Sequence, residues 1–135
     1  MKIRKANLKD KKQFLKLVRY LYAKSSPKNY REWKRQYEDM FKIALISEAN
    51  KKIIAFITFV LQKDSIYICD LYVLPKYRKK GVATSLLKKV DKIRKNLGKK
   101  YLKVNNRKKD MSAFKLYTKF GFKITNEKKS IKLRK

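Results

Sequence analysis

The stretch that decides the fold runs from residue 72 to residue 84 and reads YVLPKYRKKGVAT. An apolar run ends at Leu74 and Pro75, a basic turn follows, and a helical periodicity begins at Gly81. A helix N-terminus presents N–H groups without intrahelical partners and the positive end of the helix dipole. A glycine there lets an anion approach the backbone closely. The stretch therefore predicts a strand, a turn and a helix that together can bind a pyrophosphate.

Other phosphate-binding loops have different spacings. The stretch lacks the spaced glycines and the final Lys-Ser/Thr pair of a Walker loop, and it lacks the three glycines of the dinucleotide fingerprint. Taken alone, it is explained equally well as an ordinary strand-turn-helix with one glycine and some of the lysines that occur along the whole chain. Its meaning therefore depends on the rest of the sequence.

The segments around this stretch alternate between strand and helix periodicity. Upstream, the pattern predicts strands at 1–5, 42–49, 52–61 and 64–74 and helices at 8–24 and 30–40. Downstream, it predicts a helix at 81–97, a strand at 101–105, a helix at 111–120 and closing strands at 122–124 and 130–134. We expect Gly98 and Gly121 to end the two downstream helices, and Asp110 to cap the second.

The order of these segments defines a fold class. A strand, a helix and a second strand at 64–105 require a right-handed crossover between parallel strands. The run at 52–61 is apolar almost throughout, as in a strand covered on both faces. We expect an α/β fold with a central mixed sheet and helices on both faces. The length of 135 residues predicts a single domain spanning 1–135.

The composition excludes several classes of protein. No apolar run approaches the roughly 20 residues that cross a bilayer, and residues 1–10 lack the apolar stretch of a signal peptide. Cys69 is the only cysteine, so an internal disulfide is excluded and a reducing, cytoplasmic location is expected. The chain contains no histidine. A general base must therefore be a carboxylate, a tyrosine, a lysine, the cysteine, the α-amine or a water.

The charge is unusual, because 40 Lys and Arg residues face 10 Asp and Glu residues, giving +30. Such a field favours polyanionic partners, which are nucleic acid, the ribosome or an anionic membrane surface. An AT-rich genome explains the abundance of Lys, Ile, Asn and Tyr equally well. It does not by itself explain the scarcity of acids, so both explanations stay open.

Two sequence blocks resemble the GNAT superfamily of acyl-CoA-dependent N-acyltransferases. Arg78-x-x-Gly81-x-Ala83 follows the family pattern Q/R-x-x-G-x-G/A, and residues 113–122, AFKLYTKFGF, follow A-x-x-L-Y-x-x-x-G-F. The blocks occur in family order, and the resemblance covers essentially the whole chain. One departure is Asp110, which stands where the family often has an asparagine that contacts the cofactor; here helix capping is favoured.

The resemblance implies an acetyl-CoA site. In the family the strand at 64–74 parts from the strand at 101–105, and the pantetheine arm lies in the gap. The backbone of Leu71, Tyr72 and Val73 would then contact the arm and the thioester, and the stretch from Arg78 to Thr84 would hold the pyrophosphate. That cofactor set comprises Leu71, Tyr72, Val73, Arg78, Lys79, Lys80, Gly81, Val82, Ala83 and Thr84. No metal is implied.

The resemblance also assigns Tyr117 as the acid that protonates the leaving thiolate. A phenol has a pKa near 10, close to that of a thiol. The alternative is a core tyrosine on an apolar helix face. Asp70 is the acidic candidate for orienting or deprotonating the amine, since an unpaired carboxylate in a central strand is costly. Its alternative is a buried salt bridge to one of the lysines.

Other candidates are weaker. Cys69 has no histidine to activate it and is interpreted as a small core residue. Glu32, Glu38 and Asp39 lie on the predicted helix at 30–40, which often borders the acceptor site in the family, but a solvated helix face explains them better.

Three functions are consistent with the sequence. The first is an N-acetyltransferase that acts by direct transfer in a ternary complex, on an amine carried by a protein, a small molecule or a tRNA. The second is a basic nucleic-acid-binding module on an acyltransferase-like scaffold. The third is an acyl-CoA sensor without an acceptor site. Many GNAT relatives pair through C-terminal strands, which leaves a homodimer open.

Overall fold

The computed structural model describes residues 1–21, 43–107, 111–126 and 130–134. The strands are β1 (Lys2–Lys5), β2 (Ala44–Ala49), β3 (Lys52–Leu61), β4 (Ser65–Val73), β5 (Tyr101–Arg107), β6 (Lys123–Asn126) and β7 (Ser130–Arg134). The helices are α1 (Lys11–Leu21), α2 (Val82–Asn96) and α3 (Met111–Phe120), with short 3₁₀ turns at Leu8–Asp10 and Pro75–Tyr77. The predicted mixed α/β fold class is confirmed.

The element bounds agree closely with the predicted ones. The strands at 52–61 and 130–134 and the helix at 111–120 have the predicted limits, and most other ends shift by one or two residues. The predicted helix at 8–24 begins instead with a 3₁₀ turn. The reason is a capping box, in which the Asn7 side chain accepts from Lys9 N and the Asp10 side chain accepts from Asn7 N. The predicted helix at 30–40, with its acidic residues, and the proposed cap Asp110 lie outside the described residues.

The chain divides into two compact units, and β3, β4 and α2 each contribute residues to both. Unit 1 consists of Met1–Thr58 and Asp70–Leu86. Unit 2 consists of Phe59–Cys69 and Leu87–Lys135.

Unit 1 contains an antiparallel sheet. Strand β2 pairs with β1 on one side and with β3 on the other. A two-residue turn joins β2 to β3, and both of its residues have positive φ, 50° at Asn50 and 64° at Lys51. A type I′ hairpin turn requires positive φ at both central residues. Asparagine is common at such positions, so Asn50 fits the turn. Lysine has no preference for positive φ, so Lys51 adopts this conformation although its residue type does not favour it.

The core of unit 1 forms where α1 packs on this sheet. Phe14, Leu17 and Val18 of the helix are buried against Ile46 and Phe56 of the strands. The Phe14 and Phe56 rings meet edge to face with centroids 4.9 Å apart. The buried face of α1 therefore follows the helical spacing that the sequence displays.

Unit 2 contains the predicted parallel pair. Strand β4 runs parallel to β5 in register from Ser65↔Tyr101 to Ile68↔Val104. Strand β7 pairs antiparallel with both β5 and β6. The strand–helix–strand crossover predicted at 64–105 is thus confirmed.

Helix α2 ends in unit 2 as the sequence predicts. Gly98 has φ +69°, Gly98 N donates to Lys95 O, and Lys99 N donates to Arg94 O. These two bonds are those of a Schellman motif, which satisfies carbonyls at the helix end. The Arg94 guanidinium then donates to the carbonyls of Lys99 and Lys100 and forms a 2.7 Å ion pair with Asp91.

Of the described helices, none is long and apolar enough to cross a membrane.

Candidate active site

The glycine stretch connects β4 to α2 in unit 1 through a tight turn. After β4 ends at Val73, the N–H of Tyr77 donates to Leu74 O at 2.8 Å and the N–H of Arg78 donates to Pro75 O at 3.2 Å. Proline fixes φ at the first position of this turn and needs no N–H partner there. The sequence therefore builds the strand–turn–helix that its pattern predicts.

Gly81 is the residue from which α2 starts. Its carbonyl oxygen accepts from Ser85 N at 3.0 Å and from Ser85 Oγ at 2.9 Å. Gly81 therefore occupies the N-cap position, yet it has no side chain that could bond to the N–H groups of the first turn. That turn contains no acidic residue either. The helix N-terminus thus offers its N–H groups and its dipole to an external anion.

The backbone conformation explains why glycine is needed at this position. Gly81 has φ +82°, and two residues earlier Lys79 has φ +61°. A β-carbon at position 81 would have no atom within 4 Å, so the requirement comes from φ and not from crowding. Lys79 bears the same sign of φ at a steric cost of order 1 kcal/mol. Strained backbone of this kind is often found where a loop binds a ligand.

The residues of the loop differ in exposure. Arg78, Lys79, Lys80 and Gly81 are exposed, Ala83 and Thr84 are half-buried, and Val82 is buried. Val82 therefore anchors the start of α2 in the core, while the basic side chains before it face solvent.

Arg78 has a structural role that the sequence did not reveal. Its Nε donates to the carbonyl oxygen of Val73 at 2.9 Å, and its guanidinium carbon lies 5.5 Å from the centroid of the Tyr72 ring. Arg78 therefore ties the loop back to the end of β4, in addition to bringing positive charge to it. Lys76 and Lys80 have their Nζ atoms 6.0 and 5.9 Å from the Tyr77 ring centroid.

The end of β4 supplies the other predicted residues of unit 1. Asp70 and Tyr72 share one face of the strand, because side chains alternate along it, and Leu71 and Val73 share the other. Tyr72 packs toward Phe56, with ring centroids 6.2 Å apart, so this face looks onto the core that α1 covers. Asp70 is half-buried. Asp70, the predicted acid, thus lies at the same end of β4 as the glycine loop that follows this strand.

In unit 2, the ladder between β4 and β5 has its last pair at Ile68↔Val104, although β4 continues to Val73 and β5 to Arg107. Next to this last pair, the Tyr67 hydroxyl is hydrogen-bonded to the Asn105 side chain. Burial raises the pKa of Tyr67, the neighbouring Cys69 adds to the rise, and the bond to Asn105 opposes it. The sequence did not predict this pair, and no motif marks it.

The burial and the hydrogen bond of Cys69 are those expected of a structural residue. It is half-buried, and its thiol donates to the Tyr67 carbonyl oxygen at 3.9 Å. Burial raises the pKa of the thiol above its usual range. A raised pKa lowers the thiolate fraction at neutral pH and makes the residue a poor nucleophile, which agrees with the interpretation as a core residue.

Tyr117 belongs to the core of unit 2. It is 6% exposed, and its ring meets Phe122 edge to face with centroids 5.4 Å apart. The carbonyl of Tyr117 accepts from the N–H groups of Gly121 and Phe122, which ends α3 at the predicted glycine. The motif A-x-x-L-Y-x-x-x-G-F therefore has a clear packing function, since it joins the tyrosine to the glycine turn and to the phenylalanine that follows.

The described part of the chain contains no group of three or more His, Cys, Asp or Glu side chains that could hold a metal ion.

Residues 11–122 match the model of the acetyltransferase (GNAT) family. This match covers most of the chain, so the protein belongs to the GNAT family of acetyltransferases. The resemblance noted in the sequence is thereby confirmed, and so is the class of enzyme it implied. A comparison with curated protein sequences finds no match.

Solved structures of this fold superpose over almost the whole chain. PaiA N-acetyltransferase from Thermoplasma acidophilum in complex with coenzyme A has a TM-score of 0.86 and 21% identity, covering 99% of this chain and 97% of the other. Aminoglycoside 6'-acetyltransferase type Ii has a TM-score of 0.85 and 22% identity, with 100% and 96% covered. Arabidopsis thaliana Naa50 in complex with the bisubstrate analogue CoA-Ac-MVNAL has a TM-score of 0.79 and 22% identity, with 99% and 97% covered.

Proposed function

We propose that this protein is an N-acetyltransferase that transfers an acetyl group from acetyl-CoA to a primary amine by direct transfer in a ternary complex. The observation that carries the proposal is the start of α2. There Gly81, with φ +82°, leaves the N–H groups of the first turn without a capping side chain, directly after three basic residues. A pyrophosphate fits such a helix N-terminus.

Acetyl-CoA is the cosubstrate that this proposal assigns to the loop. The backbone from Arg78 to Thr84 would hold the pyrophosphate, and the backbone of Leu71, Tyr72 and Val73 would align the pantetheine arm. Coenzyme A in the Thermoplasma acidophilum structure and the CoA-containing analogue in the Arabidopsis thaliana structure support this assignment. When bound, acetyl-CoA supplies an acetyl group activated as a thioester.

The roles of the side chains follow from what the reaction needs. The amine must be neutral to attack, and the departing thiolate must gain a proton. We assign Asp70 to orient the amine and accept its proton, directly or through water. We assign Tyr117 to donate a proton to the thiolate, a role supported by its position in the second family block.

The acceptor belongs to the same proposal. A peptide-derived analogue is bound by one relative, and another acts on aminoglycosides, so amines of different size are handled by this fold. A net charge of +30 repels free polyamines and favours an amine held on a polyanion, such as a ribosome-bound protein or a charged tRNA. We further propose that residues 1–135 act as one domain in the cytoplasm, supported by the family match over residues 11–122 and the free thiol of Cys69.

Initial-rate kinetics with an amine panel tests this function. Release of free coenzyme A thiol is followed while acetyl-CoA and a peptide N-terminal amine, an aminoglycoside or an aminoacyl-tRNA are varied. The proposal predicts turnover with one of these acceptors and intersecting double-reciprocal lines, as for a ternary complex. Parallel lines would indicate a covalent acetyl-enzyme and contradict direct transfer. Saturable acetyl-CoA binding without transfer to any acceptor would contradict the enzymatic function and favour that of an acyl-CoA sensor.

A further inference from the structure

The outer face of α2 in unit 2 carries a row of lysines. Lys88, Lys89, Lys92 and Lys95 are all exposed. They stand at positions i, i+1, i+4 and i+7, which places them along one side of a helix. At a rise of 1.5 Å per residue the row is about 10 Å long.

The row continues beyond the end of the helix. Lys100 is exposed, and the Nζ of Lys99 reaches the carbonyl oxygens of Gln62 at 2.5 Å and Lys63 at 3.4 Å. That contact brings the turn with the exposed Lys63 next to the end of α2. We define the α2 basic surface as Lys63, Lys88, Lys89, Lys92, Lys95, Lys99 and Lys100.

Two acids accompany the seven lysines of this surface. The exposed Asp64 directly follows Lys63, and Asp91 within α2 is 5% exposed and is engaged by Arg94 at 2.7 Å and Lys95 at 3.7 Å. Among the described residues, the ion pairs include none of the other lysines of the surface. Like charges three and four residues apart on a helix repel one another. A polyanion would relieve that repulsion.

The packing of α2 argues against a membrane as the partner. A helix that lies in a bilayer interface must offer its apolar face to lipid. Of the apolar residues of α2 in this unit, Leu87 and Val90 are 0% exposed and Ile93 is half-buried, so most of the apolar face of the helix is already covered. The surface therefore offers mainly charge, with Leu97, 53% exposed just after the helix, as its exposed apolar neighbour.

The residue types on the surface also limit the kind of nucleic acid. Proteins that bind single strands stack unpaired bases on aromatic side chains. The α2 basic surface consists of lysines alone, which contact phosphates and carry no base specificity. A double-helical backbone, with its regular phosphates, fits this pattern better than unpaired bases.

We propose that the α2 basic surface binds the phosphate backbone of double-helical RNA. The choice of RNA over DNA rests on the proposed function, because an amine acceptor held on a nucleic acid is carried by tRNA or the ribosome. None of these lysines is among the residues assigned to acetyl-CoA or to the reaction.

The test compares two triple variants with the same net charge. K88Q/K89Q/K92Q removes the centre of the surface. K9Q/K12Q/K16Q removes three lysines on or beside α1 in unit 1, all of which are exposed. The α1 row is flanked by the exposed apolar residues Leu8 and Tyr20, and it lacks the extension that Lys63, Lys99 and Lys100 give to α2. Each triple lowers the formal charge of +30 by three.

Binding of a fluorescent 20-base-pair RNA duplex is measured by anisotropy between 50 and 200 mM salt. We expect the α2 triple to lose at least tenfold in affinity and its salt slope to fall by about 2–3, roughly 1 for each phosphate contact. The α1 triple should lose less than threefold. Equal losses of RNA affinity in both triples would show that net charge alone explains the binding and would overturn the proposal. Tighter binding of duplex DNA or of single-stranded RNA would overturn the choice of partner.

Acetyl-CoA titration of the same proteins separates this proposal from the enzymatic one. Both triples should bind acetyl-CoA as the native chain does. Loss of RNA binding in the α2 triple alone would support the surface even if the native chain failed to bind acetyl-CoA, in which case only the proposed function would fail. An α2 triple that loses acetyl-CoA binding as well would contradict a separate surface.

Discussion

The Nε atom of Arg78 donates a hydrogen bond of 2.9 Å to the carbonyl oxygen of Val73. This bond joins the first residue of the glycine loop to the last residue of β4, and the guanidinium also lies over the Tyr72 ring at 5.5 Å. Arg78 thus fixes the strand end and the loop relative to one another within unit 1. Both are segments that we assign to acetyl-CoA.

Removing this link should loosen the loop. We expect Arg78→Ala to weaken coenzyme A binding about tenfold, equivalent to about 1.4 kcal/mol, which is the size of one hydrogen bond plus part of a ring contact. Calorimetric titration measures the change. Lys79→Ala, which removes a neighbouring exposed charge but no bond to β4, is the matched control. A loss no larger than that of Lys79→Ala would show that Arg78 contributes only charge.

Tyr117→Phe tests the proposed acid. The phenylalanine keeps the edge-to-face contact with Phe122, so the free energy of unfolding should change by less than about 1 kcal/mol. We expect kcat to fall about 100-fold while the KM for acetyl-CoA stays the same, since a positioned acid contributes at least about that factor. Tyr101→Phe, at a half-buried tyrosine of the same unit, should leave kcat unchanged. If Tyr117→Phe keeps the kcat of the native protein, Tyr117 is not the acid and has only a packing role.

Asp70→Asn tests the proposed contact with the amine. The amide keeps the size of the carboxylate but loses its charge, so we expect kcat/KM for the amine to fall at least tenfold with coenzyme A affinity unchanged. Asp64→Asn, at an exposed acid just before β4, is the control and should have no effect. If stability falls and kcat/KM for the amine does not, Asp70 is a structural ion-pair partner.

The carboxylate of Asp10 makes stability depend on pH. Arg4 donates to both of its oxygens, at 2.7 and 2.9 Å, and this pairing holds the pKa of Asp10 below its usual value near 4. A lowered pKa in the folded state means that the stabilisation is present above pH 4 and is lost as pH falls through the folded pKa.

We therefore expect Asp10→Asn to lower the free energy of unfolding by about 2 kcal/mol at pH 7, with the difference shrinking as the pH falls through the lowered pKa of the folded state. Urea unfolding at several pH values measures it. Glu48→Gln, which removes the more exposed partner of Arg4 at 3.1 Å, should cost less. A difference between Asp10→Asn and the native chain that does not depend on pH would contradict this account.

Much of the fold could be predicted because local signals and tertiary packing agree. Gly98 and Gly121 end their helices as predicted, since both adopt positive φ where the helix must stop. The 3₁₀ turn at Leu8–Asp10 was not predicted. The side chains of the capping box bond to the backbone there, so the chain forms a 3₁₀ turn where the pattern predicts the start of an α-helix. Leu8 fits a helical pattern even though it is 79% exposed.

The site was predicted less completely. The sequence identifies the loop, because a single glycine at a strand–helix junction is a readable signal. It does not show that Arg78 bonds to Val73 or that Tyr67 pairs with Asn105, since both contacts depend on how strand ends are placed in space. The positive φ of Lys79 was likewise hidden, because lysine carries no preference for that conformation.

The most direct test of the central claim is calorimetric titration of coenzyme A into the native protein, Gly81→Glu and Gly98→Glu. Both glycines are exposed and have positive φ, and a β-carbon at either position would meet no atom within 4 Å. The two variants therefore carry similar strain and the same added charge. We predict saturable binding by the native protein and by Gly98→Glu, and at least a 100-fold loss in Gly81→Glu. Equal binding by the two variants, or no binding by the native protein, would contradict a pyrophosphate site at the start of α2.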